Sequence, residues 1–206
     1  MSLHEWSDLL LQQMNETDVL QWLAVILGVA EVLLAKSNKI GLYPVGIAGT
    51  LLTIYILILA GLYAESLLNG YYVVMSIYGW WYWVKKKNQP SVKITYCGRG
   101  DWIRVIWIVS GGFILLFISL KSFTNSSVPV WDAWVSATAW AGMWLLAKRK
   151  IENWILLNIS NLLAIPLLVY KKLPLFAALT LFLFVVAIFG YFEWRKIIHQ
   201  EKLSLV

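Results

Sequence analysis

Trp154, Asn158, Asn161 and Ile165 follow one another at intervals of four, three and four residues inside a long apolar run. On a helix of 3.6 residues per turn these positions form one stripe, so an indole and two carboxamides face the same way. A carboxamide needs hydrogen-bond partners, and in an apolar run they come from neighbouring helices or from a ligand. Both sources are open for Asn158 and Asn161, while Ser160 lies off the stripe and reads as packing. Trp140 and Trp144, at i and i+4, put two indoles on one helical face, suited either to gripping a flat ring or a cation or to bundle packing. Glu31 is a carboxylate inside another apolar run, where it can pair with a cationic ligand, a proton or Lys36. Glu152, just before the stripe, is placed to favour the dipole of the following helix and to bridge to Lys148 or Arg149.

This is a chemistry of binding, and the chain lacks the usual signs of catalysis. His4 and His199 are terminal, and no His-Glu-x-x-His, Gly-x-Ser-x-Gly or Walker sequence occurs. The expectation is a protein that is not an enzyme and uses no metal or cofactor. Between Leu173 and Trp194 there is also no Lys to form a retinal Schiff base.

The elements that carry these residues follow from composition. Of 206 residues 60% are hydrophobic and 14% charged, against about 25% charged in an ordinary soluble domain. The apolar runs are long and continuous, which indicates membrane-spanning helices rather than barrel strands. Seven segments are predicted, at about 19–36, 42–62, 66–84, 102–120, 131–148, 152–170 and 174–195. With the N-terminus outside, the inner segments hold 14 Lys and Arg and the outer ones 3, from the total of 17. The predicted orientation is N-out, C-in, and the net charge of +6 reads as a topology signal rather than a nucleic-acid surface. No Lys or Arg precedes Lys36, so the start lacks the basic region of a secretory signal. The one cysteine, Cys97, falls in an inner loop and says nothing about redox chemistry. Trp81, Trp83, Trp131, Trp134 and Trp194 read as interfacial anchors beside boundary residues, whereas Tyr78 and Trp80 point elsewhere round their helix.

Leu33-Leu34-Ala35-Lys36 recurs as Leu145-Leu146-Ala147-Lys148, and Tyr78-Gly79-Trp80-Trp81-Tyr82-Trp83 matches Phe189-Gly190-Tyr191-Phe192-Glu193-Trp194, at offsets of 112 and 111. Segments 1–3 therefore correspond to segments 5–7, and two parallel copies of a three-span unit need one extra crossing between them. The expected fold is an all-α membrane protein of seven helices in a 3+1+3 arrangement. Its parts are an extracytoplasmic segment 1–18, a first repeat 19–84, a cytoplasmic loop and linker helix 85–130, a second repeat 131–195 and a tail 196–206. Parallel repeats are a transporter design with the ligand near the midplane, though duplication also builds a stable bundle without transport. The offset of 111 pairs Trp154 with Tyr43, Asn158 with Ile47 and Asn161 with Thr50. The expected cleft has a polar, aromatic wall from the sixth segment and a plainer wall carrying Tyr43 and Thr50. Gly46 and Gly49 in that second segment let backbones approach closely.

Tyr78-Gly79-Trp80, Leu62-Tyr63-Ala64 and Glu152-Asn153-Trp154 resemble the Pnu-type vitamin transporters, over roughly residues 19–196. The resemblance implies a 3+1+3 fold related to the SWEET sugar carriers, a homotrimer in a bacterial inner membrane, and facilitated diffusion of a vitamin. Uptake is then drawn inward by a cytoplasmic vitamin kinase. Members that carry nicotinamide riboside usually have Trp-x-x-Trp in the sixth segment, and here the second position is Leu157. Asn161 matches the family's downstream polar position, and Asn158 is an additional amide. The departure at Leu157 tilts the expectation narrowly toward thiamine over nicotinamide riboside; both carry a positively charged aromatic ring. A SWEET-like sugar carrier and a non-transporting receptor or assembly protein are the other classes considered.

Overall fold

A computed structural model describes residues 3–59, 63–85, 93–123 and 127–203, and Leu62, Lys86 and Lys87 lie outside the described residues. Eight helices follow in order: α1 (Leu3–Glu16), α2 (Val19–Lys36), α3 (Leu42–Leu59), α4 (Tyr63–Lys85), α5 (Arg99–Phe123), α6 (Pro129–Ala147), α7 (Asn153–Tyr170) and α8 (Pro174–Leu203). Helices α2 to α8 coincide with the seven predicted apolar segments. Among the described residues α2, α3, α5, α7 and α8 are long and apolar enough to cross a membrane. Helices α4 and α6 have 23 and 19 residues, but Glu65, Asn69 and the Tyr and Trp of α4, and Asp132 and the Trp of α6, make them less apolar. Ile106, Trp107, Ile114 and Leu115 stand exposed along α5, as expected for a surface facing lipid.

Helix α1 is not among the predicted segments. It is short, and Gln13 docks it on the corner between α7 and α8: its Nε2 donates to the Lys172 carbonyl at 2.9 Å and its Oε1 accepts from the Leu175 amide at 3.3 Å.

Helix α3 packs on α2 and α4, and α7 packs on α6 and α8, while α2–α8 and α4–α6 contacts join the two groups. Helix α5 lies against α6. The same corner is built twice. Helix α2 ends at Ser37 and α6 at Lys148, with the cap amide of each donating back into its helix. The next residues, Asn38 and Arg149, both take left-handed backbone (φ 53° and 55°), which frees the chain to turn into α3 and α7. Corresponding amides then close both turns: Lys39 to Leu34 and Lys150 to Leu145, Leu42 to Lys39 and Asn153 to Lys150. The structural offset is 111 throughout, so the Leu-Leu-Ala-Lys match at 112 is out of step by one residue. Arg149 donates through Nη2 to the Asn38 carboxamide oxygen, which brings the two corners to the same end of the bundle. With α2 and α6 both finishing there, those helices run parallel.

Ring packing repeats as well. Tyr43 meets Trp83 edge-on at 5.1 Å and 87°, and their counterparts Trp154 and Trp194 meet at 5.7 Å and 88°. Tyr43 lies against Gly79 and Trp154 against Gly190, each so closely that a Cβ on the glycine would overlap the ring. Trp83 and Trp194 are therefore core residues, 8% and 0% exposed, and not interfacial anchors. Trp194 Nε1 donates to the Ala35 carbonyl at 3.0 Å. Trp before a cation looks the same in sequence whether the ring faces lipid or a neighbouring helix. Trp81 and Trp134, 54% and 45% exposed, do face outward, and Trp131 bonds the Leu163 carbonyl at 2.9 Å.

A strap leads into α5. Thr95 pairs with Lys150 in an isolated parallel bridge, its amide donating to the Arg149 carbonyl and its carbonyl accepting from Ile151. Ile94 beside it is buried in the same core as Tyr43 and Trp154.

Candidate functional site

Between the two helix groups lies a cavity of about 250 Å³, walled by residues of α2, α3, α4, α6, α7 and α8. Of the residues singled out from sequence, Glu31, Thr50, Trp154 and Asn161 line it. They come from α2, α3 and α7, separated by up to 130 residues of chain and gathered by the two corners. Trp154 is positioned by its seat on Gly190 and by Trp194; its indole N–H is buried without a hydrogen-bond partner among the described residues. Neither the Glu31 carboxylate nor the Asn161 carboxamide makes a hydrogen bond or ion pair among the described residues. In particular, Glu31 does not bridge to Lys36, whose ammonium stands 5.5 Å over the Phe189 ring.

Two glycines shape the cavity through one relationship used in opposite senses. Glu31 of α2 lies over Gly46 of α3, where a Cβ would overlap the carboxylate. The equivalent positions are Gly142 of α6 and Leu157 of α7, and there Leu157 lies over Gly142, 2.9 Å from where a Cβ would stand. Each group therefore places one large side chain over one glycine. The first is a carboxyl group and the second an aliphatic group, so the cavity has one acidic side chain on one flank and an apolar side chain on the other.

Four predicted site residues lie elsewhere. Trp140 stacks on Tyr71 at 4.4 Å and 22° and is buried with Leu116 and Leu120 of α5. Trp144 packs with Val105 and Leu156. Tyr43 fills the space between Gly79 and Trp83, its hydroxyl buried without a hydrogen-bond partner among the described residues. Asn158 does not line the cavity, and its carboxamide oxygen likewise has no partner among the described residues. Helical periodicity says which residues share a face, but not which neighbour that face meets. Tyr72, Met143 and Leu183, which do line the cavity, carried no sequence signal beyond being large apolar or aromatic residues.

Glu152 also differs from expectation. It is 8% exposed and, in place of Lys148 or Arg149, both its carboxylate oxygens accept from the Cys97 amide at 2.9 Å. Lys150 instead bridges to Asp101 at 3.1 Å and donates to the Tyr96 carbonyl at 3.2 Å, so the strap is tied down along its length. Burial and the adjacent Glu152 carboxylate push the Cys97 thiol up, out of the range of a reactive cysteine.

An enclosed site with a carboxylate, an indole, a phenol and an amide can hold a cationic aromatic ring and hydrogen-bond a polar substituent on it. It contains no arrangement of nucleophile and base.

Comparison with known proteins agrees with that chemistry. The family model described as nicotinamide mononucleotide transporter matches residues 18–196. The chain is 24% identical to the nicotinamide riboside transporter PnuC of Escherichia coli (strain K12), over 71% of this chain and 73% of that protein. The Shigella flexneri protein of the same name matches to the same extent. A crystal structure of the vitamin B3 transporter PnuC superposes with a TM-score of 0.71 at 22% identity, covering 96% of this chain and 90% of that one.

Proposed function

The chain belongs to the nicotinamide mononucleotide transporter family, and on that premise we propose that it carries a small vitamin with a cationic aromatic ring across the membrane by facilitated diffusion. The observation that carries this reading is the cavity between the two helix groups, with Glu31 on one flank and Trp154 and Asn161 on the other. Glu31 offsets the ring's charge, Trp154 and Tyr72 supply faces for stacking, and Asn161 and Thr50 bond hydroxyl groups.

Nicotinamide riboside is the favoured cargo, because the relatives in two bacteria are named as transporters of it. The narrow preference for thiamine gains no support from them. Thiamine stays as the second reading on one observation: Leu157, the departure from Trp-x-x-Trp, lines the cavity.

The duplicated corner and ring pairs support a 3+1+3 arrangement in which α2–α4 and α6–α8 are the repeats and α5 is the linker crossing. The excess of Lys and Arg at one end supports an outer N-terminus and an inner C-terminus. A bacterial inner membrane, a homotrimer and a kinase that traps the vitamin inside complete the reading, on family resemblance.

Calorimetric titration of the purified protein with nicotinamide riboside and with thiamine tests the cargo. Saturable, tighter binding of nicotinamide riboside is expected. Tight thiamine binding with no heat from nicotinamide riboside would reverse the order, and silence with both would remove the reading.

A further inference from the structure

At the end of the bundle where the two corners meet, contacts run repeatedly from one helix group to the other. The Lys148 ammonium, at the end of α6, stands 4.9 Å from the ring centre of Tyr78 and 4.4 Å from that of Tyr82, both on α4. The Lys36 ammonium, at the end of α2, stands 5.5 Å over Phe189 of α8. Phe189 is the counterpart of Tyr78, and the two lysines are the ends of the recurring Leu-Leu-Ala-Lys stretch. Equivalent rings are thus each covered by a lysine of the other group, from positions one residue out of step. Between the two, the Arg149 guanidinium lies 4.1 Å over Trp83 and bonds Asn38, and Trp194 bonds the Ala35 carbonyl.

None of these residues except Ala35 lines the cavity. Ala35 is also where the Trp194 bond lands, and Lys36 follows it in the chain, so the clasp adjoins this end of the cavity. We propose that the reciprocal Lys36–Phe189 and Lys148–Tyr78/Tyr82 clasps, with Arg149 between them, are the gate that holds this end shut. They are positioning residues, and the vitamin passes only when they part. A cation on an aromatic face suits a gate, because the contact is weak enough to break and loses little directionality as the helices shift. Alternating access by rocking of one repeat against the other requires that such contacts form and break in each cycle. The proposal rests on the transporter reading for its purpose, but the gate itself can be tested without cargo.

The test uses the full chain in vesicles, with Cys97→Ser to remove the native thiol and Ala139→Cys, on the cavity wall, as reporter. A membrane-impermeant maleimide is applied from the side bearing the C-terminus. Lys148→Gln is expected to raise the labelling rate about two- to fivefold, the population shift from losing one partly exposed cation–aromatic contact. Lys36→Gln, which touches only the Phe189 clasp, should do likewise, and Lys148→Arg, which keeps a cation over Tyr78 and Tyr82, should restore the slow rate. Unchanged labelling in both Gln variants, in protein that keeps its helical content and elutes as the unmodified chain does, would overturn the gate. Faster labelling in Lys148→Arg equal to that in Lys148→Gln would overturn it too. A chain that moved no vitamin would count against the transporter reading and leave the labelling result to decide the gate.

Discussion

Arg149 hydrogen-bonds Asn38, the residue that occupies its own position 111 places earlier in the chain. The contact joins the two corners, and the cavity lies between the two helix groups, whose corners repeat the same backbone bonds while their cavity side chains differ. The asymmetry comes from substitutions on the shared frame: carboxylate over glycine in one group, leucine over glycine in the other.

Asn161→Ala should sharply reduce uptake at low vitamin concentration while the protein stays folded. Its carboxamide makes no hydrogen bond among the described residues, so truncation removes a ligand contact. A lost hydrogen bond in an enclosed site corresponds to roughly a 5- to 100-fold rise in Kd. Calorimetry on the variant measures it, and an unchanged Kd would take α7 out of the site.

The seat of Glu31 gives a paired prediction. Glu31→Gln removes the charge and keeps the shape, and should weaken binding of the cationic vitamin far more than that of its uncharged reduced form. Gly46→Ala should have the same selectivity with little loss of stability, because the atoms in its way are the far end of a flexible side chain. Gly190→Ala, by contrast, meets the rigid Trp154 ring and should destabilise by about 1–3 kcal/mol. Thermal unfolding together with competition binding separates these outcomes, and equal stability losses at both glycines would contradict the assignment.

Leu157→Trp restores the Trp-x-x-Trp pattern on the apolar flank. It should shift the ratio of thiamine to nicotinamide riboside affinity toward nicotinamide riboside, measured by competition of one vitamin against the other. A ratio that does not move would mean that this flank does not read the ring.

Cys97 should alkylate slowly, with a rate that goes on rising above pH ~10, where an ordinary thiol of pKa about 8.5 has levelled off. The sign follows from the cause: burial and the Glu152 carboxylate both disfavour the thiolate, so its pKa is raised and the reactive form appears only at higher pH. Glu152→Gln should move the profile to lower pH. A profile that levels off at the ordinary value in the wild-type chain would show the strap detached from the α6–α7 corner.

Much of this was legible in the residues. Long apolar runs located α2 to α8, and the repeat led from Asn161 to Thr50 in the cavity, whereas Tyr43, the partner of Trp154, fills the core instead. Helix α1 was not legible, because it is short and docks through one glutamine. Trp83 and Trp194 were misread because an aromatic ring beside a cation has the same sequence whether it meets lipid or a neighbouring helix. Trp140 and Trp144 share a face, as their spacing requires, but α5 and Tyr71 cover it. The gate clasps were hidden for a related reason: Lys36 and Lys148 count as topology signals, and only packing reveals the rings beneath them.

Transport itself is measured by uptake of labelled nicotinamide riboside into proteoliposomes holding the purified chain, with no ion gradient. Facilitated diffusion gives saturable entry that stops when the inner and outer concentrations are equal, and accumulation beyond that level only when a riboside kinase and ATP are enclosed. No entry above that of empty liposomes, or accumulation driven by an imposed proton or sodium gradient without the kinase, would contradict it.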